Sequence, residues 1–346
     1  MNFFPTRRCV PVVNFHGANL LDKLPFPKWL LDISWNGVAD GASDKISVGI
    51  CASPFYNIPS GWMTTMFPKA DDTVDASVLL MNWRFPGNTQ RLALGQFVLD
   101  APSGTLIPTT LSLNGVSQPA GKAFTETKRT QNWQNVSVQK IAGDMAQRAV
   151  LTLNYEGPDI QIKVKEQRGT PDAQFLQGIC DDYGLCMKTY RDKLVVFDLA
   201  TKKQAPPVAV FTPSDFSNLS FQKMQHGTYT GAKLVYSDAG KEEIIREQIG
   251  QGDRWLTVNQ KTDDKADAQR VLRGKLEKAN HGATKINFTL ALADTRIVDG
   301  VCFQLLSTWS PHLDGKYFVD SVGLSVNNGG GCVMSGSASR CENNLQ

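Results

Sequence analysis

Along the first third of the chain, apolar and polar residues alternate over short stretches, and turn-forming residues interrupt them before a helical period can develop. Leu30–Trp35 and Ile46–Ile50 alternate in part and are separated by the polar turn Asp40-Gly41-Ala42-Ser43-Asp44, which predicts two strands. Ala76–Met81, Gly95–Asp100 and Thr110–Leu113 read the same way. Pro86-Gly87-Asn88, between Trp83 and Leu92, is a turn that closes a hairpin. No helix of normal length can be drawn before residue 125.

The period then changes. Ser137 is a candidate N-cap for a stripe of Val138, Ile141, Ala142, Met145 and Ala149, one face of a helix. Two short strands, Val150–Tyr155 and Ile160–Val164, turn at Gly157-Pro158. A second helix opens with Thr170 as N-cap and Pro171 in its first turn, presents Phe175, Leu176, Ile179 and Cys180, and stops at Gly184. The hairpin Leu185–Tyr190 and Lys193–Phe197 completes an α/β module over 126–205. After the extended Ala205-Pro206-Pro207, strands recur around Leu219, Lys233–Tyr236, Ile244, Ile286–Leu292, Val301–Leu306, Lys316–Val326 and Cys332–Ser335. A charged helix over about 264–280 interrupts them, with acids early and lysines late, as the helix dipole favours. Asn327–Gly331 reads as a hairpin turn. The fold class predicted is α+β, mainly β. A first β domain (1–125) and a second (206–346) flank an inserted α/β domain (126–205).

Composition narrows the classes of function. Of 346 residues 41% are hydrophobic and 20% charged, which excludes a mainly disordered chain. The net charge is +3, too small to argue for sequence-specific nucleic-acid binding or a membrane surface. Thr6-Arg7-Arg8 resembles the start of a twin-arginine signal, but the apolar run after it is short and broken by Pro11. Ile46–Pro68 carries no charge, yet Pro54, Pro59 and Pro68 with Gly49 and Gly61 rule out a stable membrane helix; it reads as a strand and an irregular loop.

No catalytic constellation emerges. The seven cysteines are odd in number and widely spaced without C-x-x-C, so they read as buried thiols. The four histidines include no H-E-x-x-H; His312-Leu313-Asp314 lacks the charged partners of a metal or acid–base site. Phosphate-loop and nucleophile-elbow patterns are missing. Cys332, behind three glycines, has no histidine near it in sequence. Asp71-Asp72 and Asp181-Asp182 read as solvated acids at a loop and a helix end. Of the seven tryptophans, Trp29, Trp35, Trp62 and Trp83 fall in the first region and divide between core and contact surface.

Ordered short motifs along the chain resemble the phage late control protein D family. They include Ala39–Val48, Gly61-Trp62-Met63, Asn82-Trp83 and Leu94–Asp100. The middle region adds Phe124–Thr130, Trp133, Glu166-Gln167, Asp172–Leu176, Tyr183-Gly184-Leu185 and Lys193–Asp198. The last contributes Tyr229–Ala232, Ala268–Leu272, Asp314–Val319, Ser321-Val322 and Ser325-Val326. Departures are Gly323-Leu324 and the first 25 residues.

The resemblance implies a homotrimeric baseplate hub of a contractile phage tail or tail-like particle. Its two β domains would resemble tail-tube subunits, as antiparallel barrels or sandwiches, so that a trimer continues a sixfold tube and meets a threefold central spike. The partners implied are further copies of the chain, the tail tube protein, the central spike protein and other baseplate proteins. The place implied is a virion tail assembled from protein made in the bacterial cytoplasm. Trp62, Trp83, Asp314 and Tyr317 are the candidate interface residues; no cofactor, metal or catalytic residue is implied. Two other readings stay open: a hub with cell-wall hydrolase activity, for which the stretch after the last β hairpin is too short, and the spike base of a related secretion system, for which a fused needle domain is missing.

Overall fold

The computed structural model describes residues 6–15, 18–19, 30–41, 43–51, 68–100, 102–106, 109–117, 123–224, 227–238, 243–262, 264–307, 310–327 and 331–341. Strands dominate it, in agreement with a mainly β, α+β class. One 14-stranded sheet carries most of them. From one end it runs Phe216–Lys223, Thr284–Leu290, Cys332–Arg340, Gly315–Asn327, Leu30–Val38, Lys45–Cys51, Thr109–Val116, Thr89–Leu99, Thr73–Met81 and Arg8–Phe15, ending on Ala18–Asn19. The last region passes into the first where Gly315–Asn327 pairs antiparallel with Leu30–Val38, from Ser321 opposite Val38 to Asn327 opposite Asp32. The two β regions are thus joined by main-chain hydrogen bonds as well as by side chains.

Alternation places the core. Arg8–Phe15 turns Cys9, Pro11, Val13 and Phe15 inward, while Lys45–Cys51 buries Ile46, Val48 and Ile50. A one-residue slip would expose each set, so the buried face fixes the register. Pro11 is accommodated because Arg8–Phe15 lies beside only the two-residue strand Ala18–Asn19 on its outer side. Phe15, Phe97, Phe303 and Tyr317, all at most 2% exposed, come from both regions and share one apolar core. Each such side chain contributes about 1.5–3 kcal/mol by leaving water. The hairpin expected at Pro86-Gly87-Asn88 joins Thr73–Met81 to Thr89–Leu99, with Gly87 at φ 82°. Cys332–Arg340 pairs antiparallel with Gly315–Asn327, while residues 328–330 of the turn expected between them lie outside the described residues.

The middle region holds helices α1 (Val138–Arg148), α2 (Asp172–Tyr183) and the short α3 (Leu199–Gln204). Ser137 caps α1 by accepting from the Lys140 amide, and Gly184 ends α2 in the left-handed conformation, φ 72°. Two local expectations are corrected. Gly157-Pro158 does not close a hairpin: Thr152–Glu156 pairs parallel with Lys193–Asp198, while Gln161–Pro171 pairs with Lys128–Ser137 in a separate ribbon. Thr170 does not cap α2, because it is held in that ribbon opposite Arg129. Pro171 is the residue before the helix and makes no side-chain cap.

Helix α4 (Lys265–Asn280) starts at Asp264, whose side chain accepts from the Asp267 amide. It packs on a three-stranded sheet of Glu243–Gly250, Gly231–Asp238 and Trp255–Val258. Ala232, Leu234, Val271, Leu272 and Leu276 form a core of their own there, apart from that of the main sheet. This small α/β unit stands inside the stretch expected to be β with one helix. It meets the middle region where α4 crosses α2. Gly274 approaches Gly184 so closely that a Cβ on Gly274 would strike the backbone of Tyr183 and Gly184.

Candidate functional site: the seam of the three regions

The turn Ala39–Asp44 is where the three regions meet. Asp44, fully buried, accepts from the Val38 amide at 3.1 Å. Its oxygens lie 3.0 and 3.2 Å from Nζ of Lys188 in the middle region. The same ammonium donates to Asp299 of the last region at 2.5 Å. One lysine, 8% exposed, therefore serves two carboxylates from opposite ends of the sequence. Burial pushes the Asp44 carboxyl up to about 6; Lys188 opposes this and Asp299 adds to it. Burial also works against the Lys188 charge, but Asp299 and Asp44 outweigh it and hold the ammonium above its ordinary range.

Asp40 does the second half of the work. Its Oδ1 accepts from the Met187 amide at 2.9 Å, the Gly41 amide donates to the Met187 carbonyl at 3.1 Å, and its Oδ2 pairs with Lys278 of α4. Lys278 also reaches Asp181 at 3.3 Å. Asp182 accepts from Lys165 at 2.8 Å, Lys275 at 2.7 Å and Gln260 at 2.9 Å. Burial would raise its carboxyl, but the two lysines hold it below the usual range. Asp181 is half exposed as expected, whereas Asp182 is a bridge between the middle and last regions and not a solvated acid. Beside these ions Ala39, Cys186, Phe197, Leu199, Cys302 and Phe318 pack a small apolar patch. A cavity of about 330 Å³ opens next to it, walled by Trp35, Tyr190, Phe197, Lys188 and Asp299.

Of the expected interface residues, Trp83, Asp314 and Tyr317 fall outside this seam. Trp62, like Trp29, lies outside the described residues. Trp83 is 6% exposed, and its indole N–H donates to the Ala293 carbonyl at 2.6 Å. Its neighbour Arg84 pairs with Asp294 at 2.7 Å. Tyr317 is fully buried, donates to the Leu313 carbonyl at 2.8 Å and stacks on Phe303. Trp83 and Tyr317 thus serve the shared core, not an exposed contact surface, because their large rings fill the space between sheet faces. Asp314 accepts from the Ser307 amide at 2.5 Å and holds a turn. His312 packs edge-on against Phe221. Among the described residues no group of three His, Cys, Asp or Glu could hold a metal ion, and all seven cysteines are free. What the seam can do chemically is bind regions together.

One strand is left open. Phe216–Lys223 pairs with Thr284–Leu290 on one side, while its other side has no partner strand among the described residues. Phe221 on it is 56% exposed and Met224, just beyond, 44%.

No protein-family model matches the sequence, and no curated protein matches it. Solved structures do match. A tail protein from Neisseria meningitidis MC58 superposes with a TM-score of 0.71 at 14% identity, covering 98% of each chain. The 43 kDa tail protein of prophage MuSo2 from Shewanella oneidensis gives 0.67 at 11% identity, over 97% of this chain and 99% of that one. A component of the E. coli type VI secretion system, itself described as similar to T4 bacteriophage tail proteins, gives 0.57 at 10% identity, over 96% and 78%. Over the covered residues the chain has the fold of these tail proteins.

Proposed function

We propose that this protein is a structural component of a phage tail or tail-like particle, and within it the baseplate hub of the late control protein D type. As a homotrimer it would join a sixfold tail tube to a threefold central spike and contact other baseplate proteins. It works by assembly and not by catalysis. The observation that carries the reading is the match to a tail protein over 98% of both chains. Two features of the molecule agree with it. The β regions at the two ends form one sheet, so each copy offers a rigid pair of β units to a ring. The strand Phe216–Lys223 presents an edge with no partner strand among the described residues and an exposed Phe221, which a neighbouring subunit would cover. The spike base of a secretion system is the second reading, favoured by the likeness to the type VI secretion component. Sedimentation of the purified protein, alone and with its spike protein, tests the proposal. A mass of three chains is expected, and a stable monomer that ignores the spike would contradict it.

A further inference from the structure

A second cleft, of about 420 Å³, lies where α4 crosses the middle region. Pro158, Ile160 and Tyr183 line it from the middle region, and the close approach of Gly184 to Gly274 makes the two sides one unit. Its charges are unevenly committed. Glu277 is taken by Lys203 at 2.5 Å, and Asp198 caps α3 by accepting from the Thr201 amide at 2.8 Å. Asp159, on the far rim, accepts from the Gln161 side chain. Arg270 and Arg273 are left over. They stand three residues apart on α4, on one face and exposed, and neither makes an ion pair or hydrogen bond among the described residues. Glu277, the natural i,i+4 partner of Arg273, is the acid that Lys203 removes from reach. The cleft therefore combines apolar walls with two uncommitted guanidiniums, whose planar donor forks match carboxylates.

We infer that this cleft is a docking site for an acidic segment of another particle protein, with an apolar side chain in the cleft and a carboxylate on Arg270 and Arg273. The inference rests on the proposed tail function and adds a partner surface outside the main sheet.

The test is photo-crosslinking in the assembled particle, with benzoylphenylalanine in place of Ala200, an exposed residue of the cleft wall. Incorporation of the chain is scored first. Absence from any tail particle overturns the tail reading and this inference with it. With the chain incorporated, the expected product is a cross-link to a different protein, at a segment with Asp or Glu beside the linked residue. Reversing both charges (Arg270→Glu with Arg273→Glu) should lower its yield by about tenfold or more while leaving the mass of the free protein unchanged. No cross-link to another protein, a link to a segment without acids, or a yield indifferent to charge reversal would each overturn the docking site.

Discussion

The core of the main sheet and the seam beside it are neighbours held by opposite means. The core is mostly apolar: Val13, Phe97, Phe303 and Val322 are fully buried in one hydrophobic cluster, and leaving water stabilises each of them. The seam joins regions through buried and half-buried ion pairs: Lys188 with Asp44 and Asp299, Lys278 with Asp40, Lys165 and Lys275 with Asp182. An apolar core tolerates any partner of suitable shape. A buried charge accepts only its counter-charge, so the seam specifies which surfaces meet and in what register more than it adds stability. In the proposed assembly that division would be useful, since the relative placement of the parts of each copy would set the geometry of a ring.

The contrast can be broken in order of effect. Lys188→Met leaves two buried carboxylates without a cation and should cost about 3–5 kcal/mol in chemical unfolding. Adding Asp44→Asn and Asp299→Asn should restore much of that loss, whereas an uncompensated triple variant would mean that the ions do not act as a pair network. Gly274→Ala should cost about 1–3 kcal/mol, because the new methyl must push α4 from α2; an unchanged melting temperature would show that the contact is loose.

The pH response separates the two regions further. The Asp44 proton is held more tightly folded (about 6) than at its ordinary 3.8, so its contribution to stability is full below the lower value and lost as pH rises through the upper. Lowering the pH from about 7 to about 5 should stabilise the protein relative to its Asp44→Asn variant by roughly 1 kcal/mol. An identical pH profile for the two would remove the buried-acid account. Tyr317→Phe, which keeps the ring in the core and removes the hydroxyl that donates to the Leu313 carbonyl, should cost about 1 kcal/mol. At the bottom of the scale, Lys140→Ala breaks an exposed pair with Asp144 and should change stability by at most about 0.5 kcal/mol.

Much of this architecture can be read from residues near one another in the chain. Ser137, Gly184 and Asp264 mark helix ends because capping is decided within three or four positions. Strands such as Lys45–Cys51 declare themselves by alternation. Pairing across distance is harder to see. Lys128–Ser137 is almost wholly polar, buries only Trp133, and is a strand because Gln161–Pro171 lies beside it. Gly157-Pro158 has the chemistry of a hairpin turn, yet the strands on either side find partners elsewhere. The seam was least legible. Asp40 and Asp44 sit in a polar turn that looks like any other, and the lysines they hold lie 238 and 144 residues away. One signal is present: Ala39–Asp44 lies within the short motifs that carry the resemblance, and it holds two acids, Asp40 and Asp44, four residues apart.

The central claim, that the chain is the piece joining tube to spike, is tested most directly by electron microscopy of a tail particle containing the protein. The account predicts three copies in one ring between the sixfold tube and the spike, with Phe216–Lys223 at a subunit boundary. Density for the chain away from that junction, or a copy number other than three, would contradict it.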